Sequence, residues 1–204
     1  MRRTVLLTLV ALAALPGLAS AQLTALVASH PMTAAAPDDG VLVIGRISDE
    51  KVGEMGQHGR FEVTGNYAAL ATCDVIIICV PTPLNRHREP DLSYVVTTAE
   101  GIAPNLRPGQ LVSLESTTYP GTTREILKPI FERHGLQSNR DFFLAFSPER
   151  RDPGNPDFHT SVIPKIIGAD GETASRVATT FYGAVVNKVV AVASCEVAEA
   201  GKLS

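Results

Sequence analysis

The sequence predicts an α/β fold, a doubly wound and mostly parallel sheet, and three observations carry that reading. Between Asp74 and Leu84 lies an apolar run, Val75 to Val80, mostly β-branched and closed by Pro81. It shows neither two-residue alternation nor a 3.6-residue period, as in strands covered by helices on both faces. Further runs of strand length alternate with stretches of helix length along the chain, which is the order of βαβ units. Composition agrees: 45% hydrophobic residues with only 5% aromatic and no Trp suits Ala/Val/Ile-rich α/β domains.

A chain of 204 residues holds one domain with a substantial core and is marginal for two. The net charge of -3 and pI near 5.9 give no reason to expect a nucleic-acid partner. Cys73, Cys79 and Cys195 are an odd number without metal-ligand spacing, so neither a disulfide framework nor a zinc or other metal site is expected. Cys79, inside the apolar run, reads as a small buried thiol.

Residues 1–40 differ from the rest. Met1-Arg2-Arg3 precedes an apolar run from Val5 to Leu15, then Pro16-Gly17 and Ala19-Ser20-Ala21 before Gln22. That is the order of a secretory signal peptide cleaved after Ala21, although an apolar leader without a targeting role reads the same way. The run is too short and interrupted for a stable membrane span. Ala34-Ala35-Ala36-Pro37-Asp38-Asp39-Gly40 reads as a linker. The expected organisation is a leader and linker over 1–40, an α/β domain over 41–194, and the start of a further helix over 195–204.

Within the domain, Val41 to Ile44 has the length of a short strand, and Ser48-Asp49-Glu50 before Lys51, Val52 and Met55 reads as a capped helix turn. Arg60 to Thr64 is an expected strand, Tyr67 to Thr72 a helix, and Asp74 to Val80 the central strand. Ser93 is placed to cap a helix through Val95, Val96, Ala99 and Ile102, ended by Pro104 and Pro108-Gly109. Leu111 to Glu115 is the next strand. A helix from Thr122 to His134 carries Ile126, Leu127, Ile130 and Phe131 on one face. Asp141 to Phe146, Lys165 to Gly168 and Val189 to Val192 complete the strands, with a helix over Glu172 to Val185 and another from Cys195.

Three successive strand ends carry polar residues: Thr82 between Pro81 and Pro83, then Ser116-Thr117, then Ser147-Pro148-Glu149-Arg150. In a parallel sheet such ends share one edge, where ligands bind. Hydroxyls, a carboxylate and guanidinium groups would converge there. Arg150 and Arg151, on a turn framed by Pro148 and Pro153-Gly154, suit a phosphate-bearing ligand. Glu149 beside Arg150 also fits an ion pair on a solvated loop, the commoner fate of exposed pairs. Arg86, His87 and Arg88 read as a solvated loop.

The order of motifs resembles a known family. Cys79-Val80-Pro81-Thr82-Pro83, Glu115-Ser116-Thr117-Thr118-Tyr119-Pro120-Gly121-Thr122-Thr123, Phe146-Ser147-Pro148-Glu149-Arg150 with Pro153-Gly154, and Glu196-Val197-Ala198-Glu199-Ala200-Gly201-Lys202-Leu203 are similar to segments of the UDP-glucose/GDP-mannose dehydrogenase family. The nearest likeness is to the UDP-N-acetyl-mannosamine or UDP-N-acetyl-glucosamine 6-dehydrogenase branch, over about residues 44–204. The resemblance implies a Rossmann-like sheet, NAD as cofactor and a UDP-sugar as substrate. Its C6 alcohol would be oxidised to the uronate in two hydride transfers through a thiohemiacetal on a cysteine. It further implies that Thr82 and Thr117 contact the cofactor, with Thr117 also near the water of the second half-reaction. Glu149 would handle protons around thioester hydrolysis, Arg150 and Arg151 would lie against the nucleotide sugar, and Lys202 would stabilise the oxyanion at C6 or share in proton transfer. The family usually carries a small apolar residue where this chain has Arg151.

Two departures shape the expectation. The family opens with a strand, a Gly-x-Gly-x-x-Gly turn and a helix that holds the cofactor pyrophosphate, whereas Val43-Ile44-Gly45-Arg46 has a single glycine. No cysteine follows Lys202, and Cys195, upstream of it, does not match the family nucleophile. A partial domain lacking the usual first strand, Gly-rich turn and helix is therefore expected, truncated at both ends, with an exposed apolar sheet edge that favours aggregation or a homo-oligomer. As a fragment it is expected to form negligible NADH, and the family role places it in the cytoplasm. The alternative is an exported, non-catalytic binding or stray protein derived from such a domain.

Overall fold

A computed structural model describes residues 8–10, 41–44, 62–64, 67–84, 89–148 and 164–201. Its strands are β1 (Thr8–Val10), β2 (Val41–Ile44), β3 (Glu62–Thr64), β4 (Val75–Ile78), β5 (Leu111–Leu114), β6 (Phe143–Phe146), β7 (Lys165–Ala169) and β8 (Val189–Ala191). Six of them form one sheet in the order β2-β4-β5-β6-β7-β8, and β1 pairs with β3 alone. Every neighbouring pair in the larger sheet is parallel except β6 and β7. The mostly parallel α/β sheet expected from the sequence is the one observed.

The β4 run explains its own placement. All four of its residues are buried, which a strand achieves only with both faces covered. On one face Ile76 and Ile78 join Val112, Leu114, Leu144 and Phe146 against helix α1 (Ser93–Ile102), the helix ending in α2 (Lys128–Glu132) and α4 (Cys195–Ala200). On the other, Val75 and Ile77 join Leu111, Ala145 and Ile167 against Ala174, Ala178, Phe181 and Tyr182 of α3 (Glu172–Val185). Each buried aliphatic side chain contributes about 1.5–3 kcal/mol relative to exposure, so the sheet and its helices stand or fall together.

β2 pairs with β4 in the register Val41↔Val75 to Ile44↔Ile78. The β4 edge, expected to lie bare without the family's first strand, is thus covered by Val41–Ile44. Thr8–Val10, from within the apolar leader, pairs in parallel with Glu62–Thr64. The remainder of the leader and the expected turn at Ser48-Asp49-Glu50 lie outside the described residues.

Four local expectations change. Ser93 does not cap α1; Asp91 Oδ1 instead accepts the Ser93 amide at 2.9 Å, because an Asp two residues upstream reaches that donor without leaving its own turn. The helix expected over Thr122 to His134 is split into a π-helical turn, Thr122–Leu127, and the α-helical Lys128–Glu132. The π turn follows Gly121, whose φ of +100° suits a residue without a Cβ. Tyr67–Thr72 is a 3-10 helix. Cys79 lies just past the end of β4 and is only half-buried, since β4 pairs with its neighbours no further than Ile78.

Candidate functional site

Because β4, β5 and β6 are parallel neighbours in the order given, their carboxyl ends share one edge of the sheet. That edge carries Thr82, Ser116-Thr117 and Ser147-Pro148. Thr82 is half-buried and Thr117 exposed. Glu149, Arg150, Arg151 and Lys202 lie outside the described residues, as do Arg86, His87 and Arg88.

The serines serve a different purpose from the ligand contacts that convergence alone suggests. Ser116 is buried; its Oγ accepts the Val80 amide at 2.8 Å and donates to the Val80 carbonyl at 2.8 Å. It therefore binds the loop after β5 to the loop after β4. Ser147 is also buried and donates from Oγ to the Ile166 carbonyl at 2.9 Å, tying β6 to the antiparallel β7. Thr82 and Thr117 also stand at this edge, each carried on a loop whose backbone is fixed by a neighbouring serine or by prolines.

Glu115, the residue before Ser116, anchors the same edge from beneath. Lys165 Nζ lies 2.9 Å from Glu115 Oε2, both side chains being 11% exposed. Tyr182 donates its hydroxyl to Glu115 Oε1 at 2.6 Å and lies 2.8 Å from Ser113 Oγ. Lys165 Nζ also sits 5.5 Å from the centre of the Tyr182 ring, within cation–π range. Burial, then the Glu115 charge, push the Tyr182 phenol well above its ordinary value, so it remains a donor. Sequence reasoning counted hydroxyls at strand ends and passed over this network. The signal was Ser113 and Glu115, two residues apart on a strand whose other residues are apolar, which require buried partners.

A second buried carboxylate, Glu199 on α4, is fully enclosed. It accepts the Gly121 amide at 2.6 Å, the Thr123 amide at 2.8 Å and the Thr123 hydroxyl at 2.6 Å. These amides open the π turn, where partnerless N–H groups and the helix dipole favour an anion. Burial lifts the Glu199 carboxyl above its ordinary value; the Thr123 and Gly121 donors offset only part of that rise. Beside it, Arg124 lies 2.9 Å from Glu196, and Lys128 lies 2.8 Å from Asp170.

Cys195 is 2% exposed, and burial followed by the charges of Glu199, Asp170 and Glu196 pushes its thiol strongly up. A nucleophilic cysteine needs the opposite, a depressed value in an electropositive setting. Cys73 is likewise buried and pushed up to about 11.

The geometry defines a class: an open, mostly parallel α/β sheet with hydroxyl-bearing loops at the carboxyl ends of adjacent strands, as in dinucleotide-binding domains. Residues 37–186 match the model of the UDP-glucose/GDP-mannose dehydrogenase family, NAD binding domain. The chain belongs to that family. It is 37% identical over 152 residues to UDP-N-acetyl-D-glucosamine 6-dehydrogenase of Pseudomonas aeruginosa, covering 74% of this chain and 36% of that protein. It is 38% identical over 146 residues to Protein CapL of Staphylococcus aureus, covering 71% and 34%. Among solved structures it resembles NDP-N-acetyl-D-galactosaminuronic acid dehydrogenase from Methanosarcina mazei Go1, with a TM-score of 0.68, 31% identity and coverage of 75% and 33%. It also resembles UDP-D-ManNAc dehydrogenase from Pyrococcus horikoshii, with a TM-score of 0.67, 33% identity and coverage of 79% and 38%. The chain thus spans about a third of the length of the curated relatives it matches. Among the described residues no helix is long and apolar enough to cross a membrane.

NAD, the family's cofactor, fits these residues on one side. Thr82 and Thr117 stand at adjacent strand ends joined through Ser116 and Val80. On the other side the strand next to β4 is followed in sequence by Gly45-Arg46-Ile47-Ser48, which lacks the paired glycines that let backbone approach a pyrophosphate.

Proposed function

We propose that these residues form the cofactor-side portion of an NAD-dependent nucleotide-sugar 6-dehydrogenase, which oxidises the C6 alcohol of a UDP-sugar to the uronate. The observation that carries the reading is the Ser116–Val80 tie, which joins the Thr117 and Thr82 loops into one face at the carboxyl edge of the sheet. Its support is the family match together with this face. Taking a primary alcohol to a carboxylate removes two hydrides, adds the oxygen of one water and releases protons. The protein's tasks are thus to orient the alcohol carbon, accept protons and stabilise an oxyanion.

In this proposal NAD supplies the hydride acceptor, and Thr82 and Thr117 hold it at the strand ends. Glu149 moves protons around the second step, Lys202 faces the C6 oxygen, and Arg150 and Arg151 hold the nucleotide sugar. UDP-N-acetyl-glucosamine and UDP-N-acetyl-mannosamine are the sugars to test first, since relatives are named for acting on them. The setting is cytoplasmic, where NAD and UDP-sugars are found.

Gly45-Arg46-Ile47-Ser48 lacks the paired glycines of a pyrophosphate turn, and Cys73 and Cys195 are buried with their thiols pushed up, so these 204 residues purified alone are expected to bind NADH weakly and not to turn over. The test is absorbance at 340 nm with NAD and each UDP-sugar. No NADH forms if the proposal holds; sustained NADH formation by these residues contradicts it.

A further inference from the structure

We propose that Glu199 is a positioning residue for Thr117, fixing the far end of the strand-end loop whose near end Ser116 fixes. The inference rests on the reading that Thr117 faces the cofactor, and goes beyond it by assigning a task to a carboxylate some eighty residues away in sequence.

The loop leaves β5 at Ser116, where the Oγ is bound to both the amide and the carbonyl of Val80 at 2.8 Å. It ends at Gly121, whose amide donates to Glu199 Oε2 at 2.6 Å. Two residues on, the Thr123 amide and hydroxyl donate to Glu199 Oε1 at 2.8 and 2.6 Å. Within the loop Thr118 Oγ1 donates to Thr122 Oγ1, and the Thr122 amide donates to the Tyr119 carbonyl at 3.2 Å. Thr117 is exposed while the residues on either side of it in the loop are held, which is how a contact residue is presented without drifting.

Glu199 is itself held firmly. α4 approaches β7 so closely that a Cβ on Gly168 would meet the Ser194 carbonyl oxygen at 2.2 Å and Ala198 Cβ at 2.8 Å. Arg124 binds Glu196 on the same helix at 2.9 Å. Three donors converge on an acceptor-only group; a glutamine turns an N–H toward either Gly121 or Thr123. A fully buried carboxylate is costly to keep for packing alone, whereas it is suited to holding two backbone amides at a fixed spacing.

The test uses the full chain carrying Glu199→Gln, alone and combined with Thr117→Ala. Hydrogen exchange at Gly121 and Thr123 is compared with strand amides of Val112 and Leu144. NADH affinity is read by fluorescence titration in both backgrounds. The expected result is roughly tenfold faster exchange at Gly121 or Thr123 with the strand amides unchanged. NADH binding weakens in the otherwise native chain and weakens no further where Thr117 is already Ala. Acceleration of loop and strand amides together, or an equal loss of NADH affinity in both backgrounds, overturns the proposal. Should Glu199→Gln fail to fold, Thr123→Val removes one donor to the same carboxylate and is read by the same comparisons. If Thr117→Ala leaves NADH binding unchanged while the exchange result holds, the cofactor reading fails and Glu199 anchors the loop without acting on the ligand.

Discussion

Ser116 and Val80 are joined by a reciprocal pair of hydrogen bonds, with the Ser116 Oγ accepting the Val80 amide and donating to the Val80 carbonyl, each at 2.8 Å. One buried hydroxyl thereby does for two loops what a further rung of the sheet ladder would do, at the point where β4 and β5 have diverged. Ser116→Ala leaves the Val80 amide and carbonyl buried without that partner. The expected loss is about 1–3 kcal/mol, measured as a lower urea midpoint with an unchanged slope.

The Lys165–Glu115 pair is buried on both sides, and removing one member leaves the other charge stranded. Lys165→Met is expected to destabilise the chain by about 3–5 kcal/mol. Adding Glu115→Gln to it recovers part of that loss, because the unpaired charge is then gone. Thermal melts of the two variants check both statements.

Gly168 allows the backbone approach on which α4 depends. Gly168→Ala places its Cβ 2.2 Å from the Ser194 carbonyl oxygen, a clash with backbone that no rotamer change relieves. A loss of about 1–3 kcal/mol or more is expected, with faster exchange concentrated in Cys195–Ala200, as peptide-level exchange measurements will show.

Two carboxylates give stability opposite dependences on pH. Glu199 is raised above its ordinary value of 4.5 by burial; its contribution is complete below the unfolded value and is lost as pH rises through the folded one. Asp170 is also pushed up by burial, but Lys128 and Ser138, then the charges of Lys128 and Arg124, outweigh that and lower it below 3.8. Its contribution is present above the unfolded value and is lost as pH falls through the folded one. Unfolding free energy measured between acid and neutral pH is therefore expected to fall less steeply with rising pH in Glu199→Gln than in the native chain. In Asp170→Asn the loss toward low pH shrinks.

Much of this fold was legible because it rests on local pattern. The β4 run, the helix over Glu172–Val185 and the strands on either side of it follow from residue type and period alone. What escaped depends on partners distant in sequence. The π turn at Thr122–Leu127 is opened by a carboxylate from α4, and no window around Thr122 contains Glu199. The reversal of β7 against β6 leaves no trace in periodicity, which is blind to strand direction. At the site, the shared edge was readable from order, while the tie that the buried Ser116 makes beside the exposed Thr117 needed the hydrogen bonds. The cover that Val41–Ile44 gives to β4 was hidden because strand length in the sequence does not say which strand is its neighbour.

In the function proposed, Thr82 and Thr117 mark the cofactor face of this sheet, and a fluorescence titration of the purified chain with NADH tests that assignment. Binding to the native chain is expected to be weak and saturable. Thr82→Ala and Thr117→Ala are each expected to weaken it by roughly threefold to tenfold, the equivalent of one hydrogen bond. Unchanged NADH affinity in both variants would show that neither threonine touches the cofactor.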